Sequence, residues 1–198
     1  MFWRRRETPP IAHRSLSASN DLEGQTKLHL GCGPHIISGW ANIDADPADG
    51  GIKWDLREAL PIADGTIEFI FAEHFIEHID LEQAIKLLGE CRRYLAPGGT
   101  LRLSTPDMAF MIGEYQAARS TEWTDMGWHP STPCQMVNEG MRLWGHLFVY
   151  DAPELHRLLK SVGFTIVEDV AWRESRHPVL RNLETRHWHH ELIVEASF

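Results

Sequence analysis

Between Ala72 and Ile79 the sequence reads AEHFIEHI, which puts two glutamates and two histidines into six consecutive positions. Imidazole titrates near neutral pH and is a common metal ligand, and carboxylates act as bases or complete a ligand set. As His74-x-x-Glu77-His78 the stretch matches the inverted zinc-hydrolase pattern. The motif follows residues with strand character, however, and no long helix surrounds it. Three other readings stay open: a base that takes a proton from an acceptor, a metal-holding helical face, and a structural pair that fixes the entry to a helix.

The surrounding elements must position these groups. From Thr26 onward, short apolar runs alternate with helical patterns. KLHLGCG predicts a strand closed by a glycine turn, WANIDADP and IKWDL predict two more, and TIEFIFAE is the clearest strand. DLEQAIKLLGECRRYLAPGG predicts a helix. Asp80 and Gln83 form its capping box, and Leu81, Ile85, Leu88, Cys91 and Leu95 form its apolar stripe. Pro97-Gly98-Gly99 stops it, and TLRLSTP follows as a strand. MAFMIGEYQAAR and APELHRLLKSVGF predict further helices, the second opened by Asp151. Residues 121–140 read as a loop over a site. FTIVEDV and ELIVEAS are the last strands, separated by a long connection over residues 171–190.

Alternating strands and helices predict an α/β fold with a mostly parallel sheet covered on both faces, and a ligand at the carboxyl ends of the strands. Those ends carry Gly31-Cys32-Gly33, then Asp44 and Asp46, then Asp55, then Glu73 and His74. A glycine turn permits close backbone approach, and an acid after the second strand is placed to accept ribose hydroxyls. A second acid can reach the surroundings of an adenine. In this order the residues describe a pocket for an adenosine-containing ligand.

The whole-chain totals narrow the class. The 198 residues are 43% hydrophobic and 24% charged, enough for one well-buried domain. A net charge of -9 argues against a nucleic-acid partner, which would require clustered Lys and Arg. Cys32, Cys91 and Cys134 form no CxxC pair, which points to a reducing, cytoplasmic setting. MFWRRRETPP starts like a signal peptide, but no apolar run follows. Residues 1–25 are therefore expected to be a flexible arm, and 26–198 the domain. No run of 18 apolar residues predicts a membrane span.

The ordered segments LHLGCGP, NIDADP, WDL, DGTIEFIFAEHFIEHI and ECRRYLAPGGTLRLSTPD resemble the class I S-adenosylmethionine-dependent methyltransferases, of the small bacterial type, from about Lys27 to Phe198. The resemblance implies a Rossmann-like fold: a seven-stranded, mostly parallel sheet, the last strand antiparallel, with helices on both faces. It implies S-adenosylmethionine as cofactor. Gly31, Cys32 and Gly33 would lie against its methionine part, Asp44 at the ribose, Asp55 and Leu56 beside the adenine, and Glu73 near the sulfonium. Two features depart from the family. Gly31 and Asp44 are 13 positions apart, against about 20 for the usual fingerprint. The third glycine is also absent, so a single turn or a loop is expected in the first crossover.

Methyltransferases acting on small-RNA ends and ubiquinone precursors carry a similar E-x-x-E-H with a later histidine, which His146 in GHLFVYD resembles. On that likeness His74, Glu77, His78 and His146 would hold a divalent metal, His74 replacing the first glutamate. As bases, His74, His78 and His146 are the candidates, with His129 weaker. Arg173, Arg176, Arg181 and Arg186 in the late connection could grip an anionic acceptor, and Trp123, Trp128 or Trp144 could stack on a sugar. Against these stand a solvated loop and ordinary core packing. The expected activity is O-methylation of a small-molecule or saccharide acceptor. The alternative is a protein that binds the cofactor without methyl transfer.

Overall fold

The computed structural model describes residues 21–120, 127–186 and 190–198. Most of the expected arm, Trp123, and parts of the 121–140 and 171–190 segments lie outside the described residues. Leu22 is buried in the main core. It precedes the boundary expected at residue 26.

Seven strands form one sheet. They are β1 (Lys27–Leu30), β2 (Ala41–Asp44), β3 (Ile52–Lys53), β4 (Ile67–Glu73), β5 (Leu95–Pro106), β6 (Ile166–Asp169) and β7 (Glu191–Ser197). Their order is β3-β2-β1-β4-β5-β7-β6. The first five pair in parallel, and β7 runs antiparallel to both β5 and β6. The chain reverses after β1, stepping outward to β2 and β3 and then back to β4, so a crevice opens at the carboxyl ends of β1 and β4.

Among the described residues the helices beside the sheet are α1 (Leu81–Tyr94), α2 (Met108–Gln116), α3 (Pro133–Gly140) and α4 (Ala152–Ser161). Asp80 and Gln83 form the capping box of α1. Its buried face is Ala84, Leu87, Leu88, Cys91 and Tyr94, so it is turned from the expected stripe and leaves Ile85 39% exposed. Gly99 explains how β5 begins early: a Cβ there would meet the Glu68 and Ile67 carbonyls at 3.0 Å, at the register shift between β4 and β5. Within the expected 121–140 loop, Thr132 caps α3 and Pro133 occupies its first turn.

The two faces of the sheet differ. On one, Leu28, Ile43, Ile70, Leu101 and Val194 pack against Leu88 of α1 and Leu155, Leu158 and Leu159 of α4. On the other, Trp40, Phe71 and Leu180 form a second cluster with Ile37, Phe69, Val179 and Leu183. The segment between β1 and β2 is too short for a helix and runs in turns, His35 N–H donating to the Cys32 carbonyl and Trp40 N–H to that of Ile37. The late connection covers this face instead. Its short 3-10 turn, Pro178–Leu180, places Leu180 fully inside.

This second face also buries charge. Arg102, in the middle of β5, has no exposed surface. Its guanidinium donates to the carboxylates of Glu184 and Glu195 and to the Glu174 carbonyl. Glu184 in turn accepts from Arg173 N–H at 3.2 Å. The connection is thus pinned to the sheet by a buried ion network, whose geometry must offset the desolvation of three charges.

Candidate functional site

The carboxyl ends of three strands, β1, β2 and β4, converge on one cavity of about 290 Å³, lined by Gly31, Cys32, Gly33, Pro34, His35 and Asp44. Glu73, His74, Phe75 and His78 line it from the end of β4 onward, together with Arg186 and His29. The volume is close to the lower bound for small-molecule pockets.

The β1 turn is shaped by two left-handed glycines, Gly31 (φ 68°) and Gly33 (φ 48°). A Cβ on Gly31 would come within 2.5 Å of the Phe75 side chain, whereas one on Gly33 would meet nothing within 4 Å. Gly31 therefore makes room for Phe75, and the open space lies over Gly33. Asp44 is held from behind: its carboxylate accepts from Gly33 N–H at 3.0 Å and Asp46 N–H at 2.9 Å. Each oxygen retains a lone pair toward the cavity.

Asp55 and Leu56 stand apart. Arg57 clasps the Asp55 carboxylate through Nε and Nη2, and that hydrogen-bonded pairing lowers the Asp55 pKa. Leu56 is buried in the main core. Neither lines the cavity. Cys32 lines it but is itself buried, and burial pushes its thiol up to about 11. Glu73 faces the cavity while its carboxylate accepts from Thr185 N–H (2.7 Å), the Thr185 hydroxyl (2.8 Å) and Arg186 N–H (3.3 Å).

After Glu73 the chain turns sharply. His74 takes a left-handed conformation (φ 50°), an uncommon state for a side-chain-bearing residue that surrounding contacts must impose. The contacts are two carboxylates. Glu77 Oε1 lies 3.2 Å from Nδ1, and Glu191 Oε1 lies 3.3 Å from Nε2. Burial alone would lower the His74 pKa, but hydrogen bonds to Glu191 and Glu77 outweigh it and raise the value to about 9. His74 is therefore an imidazolium at neutral pH, with neither nitrogen available as a base or as a ligand.

Glu77 is wholly buried. Burial would raise its pKa, yet the hydrogen bond and charge of His74 prevail and hold it down. Thr105 Oγ1 donates to its other oxygen at 3.0 Å. A 3-10 turn, Ile76–His78, then brings His78 to the cavity. His146 arrives from the segment after α3, following Trp144, which is also left-handed (φ 58°).

Three of the four expected ligands come together. Glu77, His78 and His146 each present a ligand atom, and these atoms lie within 4.8 Å of one another. The His78 and His146 rings are 5.0 Å apart. His146 Nδ1 sits 2.8 Å from the Gly140 carbonyl. A carbonyl only accepts, so Nδ1 carries the proton and the Nε2 lone pair is left for a ligand or a proton. Burial lowers the His146 pKa, which keeps the ring neutral. One carboxylate and two imidazoles form a donor set that suits a divalent transition metal. His74 does not belong to it and stands behind, aligning Glu77.

Of the four arginines in the late connection, three are structural. Arg173 donates to the Glu184 carbonyl, Arg181 to the Ser175 carbonyl, and Arg176 pairs with Glu168. Arg186 alone lines the cavity. Trp128 is buried, its Nε1–H donating to Glu139, while Trp144 is 39% exposed beside His146. His129 is not part of the three-residue cluster.

Sequence reasoning passed over Thr105, Glu191, Phe75 and Thr185. Each acts across strands or loops far apart in the chain. A visible signal did exist for the buried network: a lone arginine inside the apolar strand TLRLSTP.

A family profile described as methyltransferase domain matches residues 2–169. No curated protein matches. Among solved structures, the chain is similar to a SAM-dependent methyltransferase from Archaeoglobus fulgidus, with TM-score 0.56, 15% identity, and coverage of 90% of this chain and 89% of that one. It is similar also to a SAM-dependent methyltransferase from Thermotoga maritima, with TM-score 0.52, 16% identity and coverage of 91% and 86%. A third, an S-adenosylmethionine-dependent methyltransferase from Mesorhizobium loti, gives TM-score 0.51, 15% identity and coverage of 91% and 94%. At these identities the likeness speaks to the fold.

Proposed function

This chain belongs to the methyltransferase-domain family, of the class I S-adenosylmethionine-dependent kind, and on that premise we propose that it methylates a hydroxyl oxygen of a small-molecule or saccharide acceptor. The observation that carries this reading is the convergence of Glu77, His78 and His146 beside the cavity. In the cavity, Asp44 takes the ribose hydroxyls and Gly33 leaves room for the methionine portion. The sulfonium then faces the end of β4.

Methyl transfer is an in-line displacement, so most of the work is positioning. An acceptor hydroxyl oxygen attacks the sulfonium methyl, the C–S bond breaks, and its electron pair stays on sulfur as S-adenosylhomocysteine. The hydroxyl proton must leave, and His78, which lines the cavity, is placed to take it. Glu77, fixed by His74 and Thr105, supplies the negative charge that stabilises the resulting imidazolium. An acceptor without a proton to lose would need no such cluster.

A second reading is favoured by the His146 tautomer: Glu77, His78 and His146 would hold a divalent cation. Such an ion would supply acidity to a bound acceptor hydroxyl. The three free cysteines, two of them buried, support a cytoplasmic setting. No helix among the described residues is long and apolar enough to cross a membrane.

The test is methyl transfer from S-adenosylmethionine to a panel of sugars and phenols, with and without a chelator. Turnover on hydroxyl acceptors is expected. His78→Ala should lower kcat about 10²–10⁴-fold while calorimetric affinity for S-adenosylhomocysteine is retained. Loss of turnover on chelation, with recovery on a defined metal, would select the cation reading. Cofactor binding without turnover on any acceptor would favour a non-catalytic binding protein.

A further inference from the structure

Arg186 differs from every other described arginine. The rest, from Arg57 to Arg181, each place their guanidinium on a carboxylate, an amide or a backbone carbonyl. Arg186 has no such side-chain partner among the described residues, is half-buried, and lines the cavity. A guanidinium cannot discharge itself by losing its proton. Left half-buried at a cavity wall, it calls for an anion.

The glycine loop that also lines the cavity shows which anion lacks a partner. S-adenosylmethionine carries one carboxylate, at its amino-acid end, and a glycine loop commonly binds anions through free backbone N–H groups. Here that loop has none to give between residues 31 and 35. Gly31 N–H (2.8 Å) and Cys32 N–H (3.2 Å) both donate to the Ile43 carbonyl, and His35 N–H donates to that of Cys32 at 2.9 Å. Gly33 N–H is spent on Asp44, and Pro34 has no N–H. The short first crossover also contains no helix whose N-terminus could serve. Of the other cationic groups at the cavity, His74 is neutralised between Glu77 and Glu191.

We propose that Arg186, carried in from the connection between β6 and β7, binds the α-carboxylate of the methyl donor in place of the first-crossover backbone. The connection is built to hold it there. Arg102 fixes Glu184, and Glu73 takes Thr185 N–H, Thr185 hydroxyl and Arg186 N–H, so the backbone leading into Arg186 is locked. A planar guanidinium can take a carboxylate through two parallel hydrogen bonds. The anchoring would also explain how the pocket works with a shortened first crossover.

This inference rests on the donor-binding reading above, and the test separates the two. Calorimetry on the full chain compares S-adenosylmethionine with its decarboxylated analogue, which differs at that one group. The wild type should prefer the carboxylate-bearing donor about 10- to 100-fold, in the range of a charge-assisted hydrogen-bonded pair. Arg186→Gln should erase the preference by weakening the donor alone, leaving affinity for the analogue unchanged, and Arg186→Lys should keep part of it. Arg186→Met repeats the test without a hydrogen-bonding side chain. A wild type that binds both ligands equally overturns the proposal, as does an Arg186→Gln variant that still prefers the donor or changes only the acceptor KM. Binding of neither ligand by the wild type would instead remove the donor-site reading itself.

Discussion

His74 shows how far a residue's chemistry depends on its neighbours. In the sequence it is the first histidine of an H-x-x-E-H pattern and a natural base or ligand. In the fold it is a buried cation between Glu77 and Glu191, and its service is to hold Glu77 toward His78 and His146. The pattern was legible because its residues adjoin in the chain. Its orientation was not, because Glu191 comes from β7 and the left-handed turn at His74 has no glycine to announce it. Removing the cation would leave two buried carboxylates without compensation. His74→Ala should therefore destabilise the protein by about 3–5 kcal/mol, measured as a lowered denaturant midpoint in metal-free buffer. An unchanged midpoint would mean that the pair of contacts carries no structural role.

At the scale of elements, the late connection deserves its own account of function. Read as sequence, residues 171–190 have no periodicity and four arginines, which suits a solvated loop. Packing turns most of the segment into a lid on the sheet: Leu180 fills the second core, and Glu184 closes on Arg102. The same connection then presents Thr185 and Arg186 to Glu73. Its role was illegible because nothing local encodes it; the partners are β-strand residues far upstream. By contrast α1 and α4 were legible from their caps at Asp80 and Asp151, which act within one turn of the chain, although the buried face of α1 was turned from its expected stripe. Glu184→Gln should cost roughly 3 kcal/mol, the low end for breaking a buried ion pair, because Glu195 remains on Arg102. It should also weaken donor binding and expose the chain near residue 185 to proteolysis. A destabilised variant with full donor affinity and no new cleavage would show that the connection does not position the site.

The whole molecule combines a standard sheet with an unusual cover. The alternation of strands and helices, the glycine turn after β1 and the acids after β2 and β4 were enough to place the crevice at the right strand ends. They were not enough to place Asp55 and Leu56. The same strand-end logic puts these beside an adenine, whereas Arg57 and the main core hold them outside the cavity. Seen whole, one face of the sheet is an apolar helix seat, and the other carries a polar strip beside its own apolar cluster. That strip runs from Arg102 through Ser104 and Glu191 to His74 and Glu77. It links the late connection to the cluster of Glu77, His78 and His146. The most direct test of this arrangement is a crystal structure of the complex with S-adenosylhomocysteine. The ribose hydroxyls should lie on Asp44, the carboxylate on Arg186, and the sulfur on the side of His78 and His146. A ligand bound elsewhere, or bound with its sulfur turned away from those histidines, would contradict the account.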